Sequence, residues 1–170
     1  MFAWQEYGVK PDVMTVAKAL GNGLPIGAFL ACKGAAKVME PGDHGTTYGG
    51  NPLVCAAADK VLELFEEKNL VAHVQEIGQY LWEELEALAG RLDCVAAHRG
   101  KGLMQGLELS MPVGPVVKTA LLEEHLVLNS AGSQVIRFVP PLVIEKEDVD
   151  EMIVRLERAV KSVVRSVAEA

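Results

Sequence analysis

The chain has 170 residues, half of them hydrophobic by type, and a net charge of −7. This composition is typical of a globular protein with its own core and excludes a disordered chain, while the negative charge disfavours a nucleic-acid partner, whose phosphates it would repel. No apolar run approaches the roughly 20 residues that a membrane-spanning helix needs, and the start has no export signal, so we expect no membrane partner and a cytoplasmic location.

Two short strands and a loop are predicted in the first part of the chain. Val13 to Ala17 are apolar or β-compatible and lie between Pro11 and a glycine turn, which predicts a short buried strand with Lys18 at its end. A second strand, Leu24 to Ala31, follows the turn. Pro41 to Pro52 contains too many turn formers for a regular element and is predicted to be a loop.

Two helices are predicted after the loop. Pro52 suits the first turn of a helix that runs to about Lys68, because the N–H that proline lacks is not needed there. After Asn69, apolar residues recur at intervals of three or four, which predicts a second helix that packs along one side. These residues are Leu70, Val74, Ile77, Leu81, Leu85 and Leu88.

Beyond Gly90, short strands alternate with helices, which predicts a small α/β domain. Strands are expected at residues 95–97, 103–109, 126–128 and 135–139, and helices at residues 114–125 and 146–167. We expect residues 1–70 to form one domain and residues 71–170 a second. The first is expected to be incomplete, since two or three strands and a loop cannot make a sheet that is covered on both faces.

The cysteines and histidines indicate neither disulfides nor a metal site. Cys32, Cys55 and Cys94 are far apart and odd in number, so we expect reduced thiols that are buried as small apolar side chains. The four histidines have no ligand spacing with each other or with cysteine, so we expect no bound metal.

Lys18 is the first candidate for chemistry. A lysine at a strand end usually reaches solvent and has no further role. A turn of glycines that holds the side chain and partly desolvates it would instead favour the neutral amine, which condenses with an aldehyde to form a Schiff base. Both interpretations fit the position of this residue.

The loop HGTTYGGNP, residues 44–52, is the second candidate. Thr46 and Thr47 lie among glycines and offer O–H and backbone N–H donors that can bind a phosphate or carboxylate. Taken alone, an ordinary turn is the more common interpretation. For Lys101 and His44, a solvated side chain and a turn-stabilising side chain are the simpler interpretations.

Together, the two segments resemble a known family. TVAKALGNGLPIGAFLA, followed by GDHGTTYGGNPLVCAAA, resembles the class III pyridoxal-phosphate-dependent aminotransferases, most closely the acetylornithine aminotransferases. The likeness continues through RGKGLMQGLEL and VIRFVPPLVIEKEDVDEM and so covers essentially the whole chain. It implies an α/β fold, that of the fold type I transferases, with residues 1–70 as the C-terminal part of the large cofactor-binding domain and residues 71–170 as the small C-terminal domain.

The resemblance also implies roles for four residues. Lys18 matches the lysine that binds pyridoxal 5′-phosphate covalently and later moves a proton between the substrate carbon and the cofactor. Thr47 matches the threonine that reaches across a dimer interface to the cofactor phosphate of the partner subunit, and Thr46 is placed to contact substrate there. Arg137 matches an arginine near the substrate entrance, where it would suit a carboxylate, although a structural ion pair is an equal alternative.

The implied activity is the transfer of an amino group between N-acetylornithine and 2-oxoglutarate in arginine biosynthesis, by a homodimer. Ornithine, succinylornithine and 4-aminobutyrate enzymes share these motifs and stay open as alternatives. Family members are more than twice as long, so we expect a truncated polypeptide that lacks several cofactor-binding groups. A second hypothesis follows, a non-catalytic fragment that binds the cofactor weakly, has no measurable turnover and associates through its uncovered strands.

Overall fold

The chain folds into two compact units, Met1–Val71 and Ala72–Ala170. The computed structural model describes residues 1–169. None of the helices in that range has an apolar stretch long enough to cross a bilayer. The assignment of the two units to a large and a small domain stays a prediction.

The first unit consists of short elements and one long helix. These elements are α1 (Ala3–Tyr7), β1 (Val13–Val16), the 3₁₀ helix Lys18–Leu20, β2 (Ala28–Ala31), α2 (Lys33–Ala36) and α3 (Pro52–Glu67). The two strands pair antiparallel, with Val13 opposite Ala31 and Val16 opposite Ala28. The second strand is shorter than predicted, because residues 24–27 form the connection between the 3₁₀ helix and β2.

Strand β1 is not buried, so that prediction is wrong. Val13 is 43 % exposed, and Phe29 on the paired strand is 54 % exposed. The apolar pattern shows a preference for burial, but the sheet has two strands and no third one joins it within the described residues. The first unit thus has a two-stranded sheet with exposed apolar side chains.

Helix α3 begins at Pro52, as predicted. Asn51 caps it, since its Oδ1 accepts a hydrogen bond from the N–H of Val54 at 3.2 Å. Proline in the first turn needs no N–H partner. The helix buries Val54 and Ala58.

The second unit combines a four-stranded antiparallel sheet with helices. Its elements are α4 (Leu70–Ala89, which starts two residues before the unit), β3 (Val95–Lys101), β4 (Met104–Leu109), α5 (Gly114–Leu122), β5 (Asn129–Ala131), β6 (Val135–Phe138) and α6 (Lys146–Ala168). The strand order is β3-β4-β6-β5. The core is built from α4, α5, α6 and the two central strands. The predicted stripe of α4 is confirmed, since Leu81, Leu85 and Leu88 are at most 1 % exposed.

The strand predicted at residues 126–128 is wrong, because the third strand of this unit is Asn129–Ala131. His125 takes a left-handed backbone, with φ of 53°, and the N–H of Leu126 then donates to the carbonyl of Ala120. The chain therefore folds back against the end of α5 before it can join the sheet. The Arg155 guanidinium donates to the carbonyls of residues 124 and 125 and holds this end in place.

All three cysteines are free thiols. Cys32 and Cys94 are partly buried, and burial raises the pKa of the Cys94 thiol. Cys55 is exposed on α3, so the expectation that it is buried is wrong. Its neighbours Val54 and Ala58 occupy the buried face of the helix, and Cys55 lies outside that face.

Candidate functional site

Lys18 lies directly after β1, at the first residue of the 3₁₀ helix, and its backbone is left-handed with φ of 54°. This conformation costs a residue with a side chain about 1 to 2 kcal/mol. The turn around it is held by hydrogen bonds from the N–H of Leu20 to the carbonyl of Ala17 and from the N–H of Gly21 to the carbonyl of Lys18, each 3.1 Å long. The fold therefore keeps this lysine in a strained backbone at a strand end.

The Lys18 side chain is exposed. Within residues 1–169 its ammonium has no hydrogen bond or ion pair, so the amine is free to react. The expected partial desolvation is not provided by this chain. Desolvation of this amine would have to come from other groups at the site.

The turn after Lys18 depends on Gly21. A Cβ at this position would lie 2.2 Å from the carbonyl oxygen of Leu24 and 2.7 Å from Cγ2 of Ile26, closer than real contacts allow. Asn22 follows with φ of 46°, a conformation that asparagine tolerates. The glycine and the asparagine together let the chain reverse immediately after the lysine.

An open cavity of about 280 Å³ lies between this turn and α3, lined by Gly21, Asn22, Leu24, Ala57, Lys60, Val61 and Leu64. Lys18 does not line it. Hydrogen bonds from the Lys60 ammonium to Glu63 and Glu67 raise the pKa of this lysine, which disfavours its neutral, nucleophilic form. The free amine of Lys18 is thus the better candidate for covalent chemistry.

The two threonines of the glycine-rich loop differ in their contacts. Thr46 closes the loop, since its Oγ1 accepts from the N–H of Gly49 at 3.1 Å. A Cβ on Gly49 would lie 2.3 Å from Cγ2 of Thr46, so this contact needs a glycine. Thr47 is exposed, and its hydroxyl has no partner in the described part of the chain. A free hydroxyl beside glycine N–H groups can bind a phosphate oxygen.

Arg137 lies in the second unit, on β6, opposite Asn129 of β5. It is exposed and lines a largely apolar cavity of about 460 Å³ together with Phe138, Val139 and Asp148. No ion pair joins Arg137 to a carboxylate among residues 1–169. The guanidinium therefore has its donors available for an external carboxylate.

The four predicted site residues are divided between the two units of the chain. Lys18, Thr46 and Thr47 belong to the first unit and Arg137 to the second. No hydrogen bond links Lys18 to either threonine in the described residues. His98 and Gln105 of the second unit are polar groups that were not predicted from the sequence. The available signal was Gln105 itself, a polar residue that is buried within the apolar strand β4.

A family model for the class III aminotransferases matches residues 1–160. The chain belongs to the class III aminotransferases. Members of this family are pyridoxal-phosphate-dependent transferases, so the resemblance and the cofactor that it implies are both confirmed at the level of the family.

The relatives of this aminotransferase chain include proteins with two related names. It is 48 % identical over 158 residues to the acetylornithine aminotransferase of Gloeobacter violaceus, covering 92 % of this chain and 39 % of that protein. It is 44 % identical over 163 residues to the succinylornithine transaminase of Photorhabdus laumondii, covering 94 % of this chain and 40 % of that protein. The chain thus spans about two fifths of the length of these relatives.

Solved structures agree with this membership. The acetylornithine aminotransferase from Elizabethkingia anophelis superposes with a TM-score of 0.85 at 32 % identity, over 94 % of this chain and 41 % of that one. The ornithine delta-aminotransferase of Plasmodium falciparum gives 0.86 at 33 % identity, over 93 % of this chain and 42 % of that one. The predicted fold class, the C-terminal portion of a fold type I transferase, is confirmed.

Two residues of this chain, Lys18 and Thr47, have the chemistry to bind the aldehyde and phosphate groups of the family's cofactor. Lys18 offers a free amine for the aldehyde carbon, and Thr47 offers a free hydroxyl for the phosphate. Several further contacts that the cofactor needs were expected from polypeptide outside this chain. The fit is therefore that of a partial site.

Proposed function

We propose that this chain contributes the cofactor-binding lysine of an enzyme that transfers an amino group between N-acetylornithine and 2-oxoglutarate in arginine biosynthesis. The observation that carries the proposal is Lys18 itself, a free amine held in a left-handed backbone at the end of β1. Backbone strain of this kind is typical of functional sites. We place the enzyme in the cytoplasm, as a homodimer.

Lys18 has two tasks in this proposal. Its amine attaches the cofactor covalently, and once released it acts as the base and acid that moves a proton at the substrate carbon bearing the amino group. Pyridoxal phosphate, when bound, supplies the electron sink that makes this carbon acidic. Because Lys18 is exposed in this chain, the desolvation that favours its neutral form has to come from other parts of the dimer.

The other three residues bind and orient. The Thr47 hydroxyl would bind the cofactor phosphate of the partner subunit, and Thr46, whose Oγ1 holds the loop through Gly49, would contact substrate with its remaining donor. Arg137 would bind a substrate carboxylate, which suits its lack of a carboxylate partner in the described chain. Both N-acetylornithine and 2-oxoglutarate carry carboxylates that a guanidinium can bind.

The choice of amino donor rests on the relatives. Proteins named acetylornithine aminotransferase and one named succinylornithine transaminase share 41–48 % identity with this chain. An acyl-ornithine donor is therefore better supported than 4-aminobutyrate. Ornithine is the next alternative, favoured by the similarity to the Plasmodium falciparum enzyme.

The second candidate function is a fragment that binds the cofactor weakly and has no turnover by itself. The exposed side chains of Phe29 and Leu30, at 54 % and 45 %, support it. A two-stranded sheet with such faces needs a partner to cover them. In this case the chain associates with other polypeptide before any catalysis occurs.

A chimera tests the proposed activity. The matching segment of the Gloeobacter violaceus acetylornithine aminotransferase, 158 residues in the alignment, would be replaced by this chain. We expect glutamate formation from N-acetylornithine and 2-oxoglutarate, and at least a 1,000-fold loss, on the order of removing a covalent catalyst, in Lys18→Ala. Lys33→Ala is the matched control, because Lys33 is also an exposed lysine of the first unit.

The outcomes separate the candidates. A chimera that prefers 4-aminobutyrate or ornithine to N-acetylornithine contradicts the proposed donor. Equal activity of the Lys18→Ala and Lys33→Ala chimeras contradicts the role of Lys18. If the chimera does not fold, covalent labelling of this chain with the cofactor still reports on Lys18.

A further inference from the structure

A chain of polar side chains connects α4 to the β3–β4 hairpin inside the second unit. Glu86 of α4 lies 2.7 Å from Nδ1 of His98, and Nε2 of His98 lies 3.0 Å from Oε1 of Gln105. The His98 ring stacks on Trp82 of α4, with ring centroids 4.0 Å apart. The His98 side chain is 2 % exposed and Gln105 is 3 % exposed, whereas the Glu86 carboxylate is 52 % exposed and reaches the ring from the solvent side.

The orientation of the Gln105 amide is fixed by two backbone carbonyls. Its Nε2 lies 2.8 Å from the oxygen of Gly78 and 2.7 Å from that of Gly102, so both amide hydrogens are donated. The opposite atom, Oε1, can only accept. The ring nitrogen of His98 that faces it must therefore carry a hydrogen.

The other ring nitrogen of His98 faces the Glu86 carboxylate, which also can only accept when it is ionised. Both nitrogens therefore have to donate, which requires the imidazolium form. A flip of the ring exchanges the two nitrogens but leaves an acceptor on each side, so the requirement is unchanged. The face of Trp82 beneath the ring also favours a cation.

We propose that the folded second unit holds His98 as an imidazolium and that this proton fastens the β3–β4 hairpin to α4. The groups that face the ring are the Glu86 carboxylate and Trp82 from α4 and the neutral Gln105 amide from β4. The inference concerns the stability of the second unit and does not depend on the proposed activity.

Two charged neighbours on the hairpin do not change the direction of the electrostatic effect on the His98 ring. Arg99 follows His98 on β3 and pairs with Glu108 of β4. The positive and negative charges of that pair offset each other. The ionised Glu86 is thus the charge that acts directly on the ring.

The expected pH dependence follows from the donors. A histidine in an unfolded chain gives up its proton near pH 6.5, whereas the folded unit needs the proton to satisfy both acceptors. Deprotonation leaves either Glu86 or Gln105 facing a bare nitrogen, which weakens the attachment of the hairpin.

Another histidine of the same unit provides an internal control. His73 has one ring contact, from Nε2 to the carbonyl of Ile144 at 2.9 Å. A neutral ring with its hydrogen on Nε2 satisfies that contact. The ring signals of His73 therefore provide the comparison for those of His98.

The direct test is ¹⁵N NMR of the histidine rings in the full chain at pH 7.5. We expect both ring nitrogens of His98 to be protonated, and a neutral ring in Glu86→Gln, whose amide can donate to a bare nitrogen. Glu83→Gln makes the same change of charge on the same helix. Glu83 accepts from Gln79 and does not contact His98, so this variant should leave the His98 signals unchanged.

A second measurement uses the stability of the hairpin attachment. Urea unfolding, followed by Trp82 fluorescence in a Trp4→Phe background, is compared at pH 6 and pH 8. We expect the urea midpoint to be lower at pH 8 than at pH 6, and this decrease to be larger in the parent chain than in Glu86→Gln. Glu83→Gln should behave like the parent chain. A singly protonated His98 in the parent at pH 7.5, or equal pH dependence of the parent and Glu86→Gln, overturns the proposal.

Discussion

Replacement of Gly78 by alanine tests how closely α4 approaches the turn of the β3–β4 hairpin. A Cβ on Gly78 would lie 2.6 Å from Cα and C of Gly102 and 2.8 Å from its carbonyl oxygen. These are backbone atoms, which cannot move aside as the end of a flexible side chain can. Forcing the helix and the turn apart would cost about 1 to 3 kcal/mol.

Two further effects enter the expected magnitude of this change. The better helix propensity of alanine returns about 1 kcal/mol. The displacement also stretches the hydrogen bond from Gln105 to the Gly78 carbonyl, which is worth about 1 kcal/mol. We therefore expect Gly78→Ala to lower the free energy of unfolding of the second unit by about 2 kcal/mol.

The assay is urea unfolding followed by Trp82 fluorescence in a Trp4→Phe background, at constant pH. A loss of about 2 kcal/mol lowers the midpoint by about 1 M for a unit of this size. Gly90→Ala is the control, since a Cβ there would lie 3.6 Å from the carbonyl oxygen of Ala87, an ordinary contact. A midpoint of Gly78→Ala equal to or above that of Gly90→Ala would refute the close approach of helix and turn.

Three further predictions concern the core, a tyrosine and a helix cap. Leu85 is 0 % exposed, so Leu85→Ala should lower the free energy of unfolding, measured in urea, by about 2 to 5 kcal/mol. Val154 is 48 % exposed, and Val154→Ala should lower it by less than about 1 kcal/mol. The hydrogen bond to Asp150 raises the pKa of Tyr80 to about 12. The difference between the ultraviolet titration curves of the parent chain and of Tyr80→Phe should therefore show a midpoint near 12. A midpoint near 10, the value for a free tyrosine, would contradict the hydrogen bond. Stability from this bond should be full below about pH 10 and lost as the pH rises through about 12. Asn51→Ala should weaken α3 by about 1 kcal/mol, seen as faster amide exchange in its first turn; unchanged exchange would contradict the cap.

Local patterns predicted the four helices α3 to α6, but not the short helices α1 and α2. The spacing of Leu81, Leu85 and Leu88 is a property of the sequence alone, and a helix with that stripe finds its core within the second unit. Pro52 placed the start of α3 for an equally local reason. The predictions failed where burial depends on a neighbour outside the segment. Val13 has the apolar character of a buried strand, but no element covers it.

The candidate site was predicted in part for the same reason. The motif located Lys18 and Thr47, but the left-handed backbone of Lys18 depends on how the turn closes and has no signature in the residue itself. The contact between His98 and Gln105 depends on the register of the hairpin, in which Gly100 lies opposite Gln105. Glu86 joins them from another element, so no pattern along the chain indicates the three together.

Covalent labelling of this chain with pyridoxal phosphate is the most direct test of the central claim, the role of Lys18. The chain is mixed with the cofactor and reduced with borohydride, and the modified peptide is identified by mass spectrometry. We predict that Lys18 carries the label, that Lys18→Ala loses it and that Lys33→Ala retains it. Labelling of Lys33 or Lys60 at the level of Lys18, or undiminished labelling of the Lys18→Ala chain, would contradict the account.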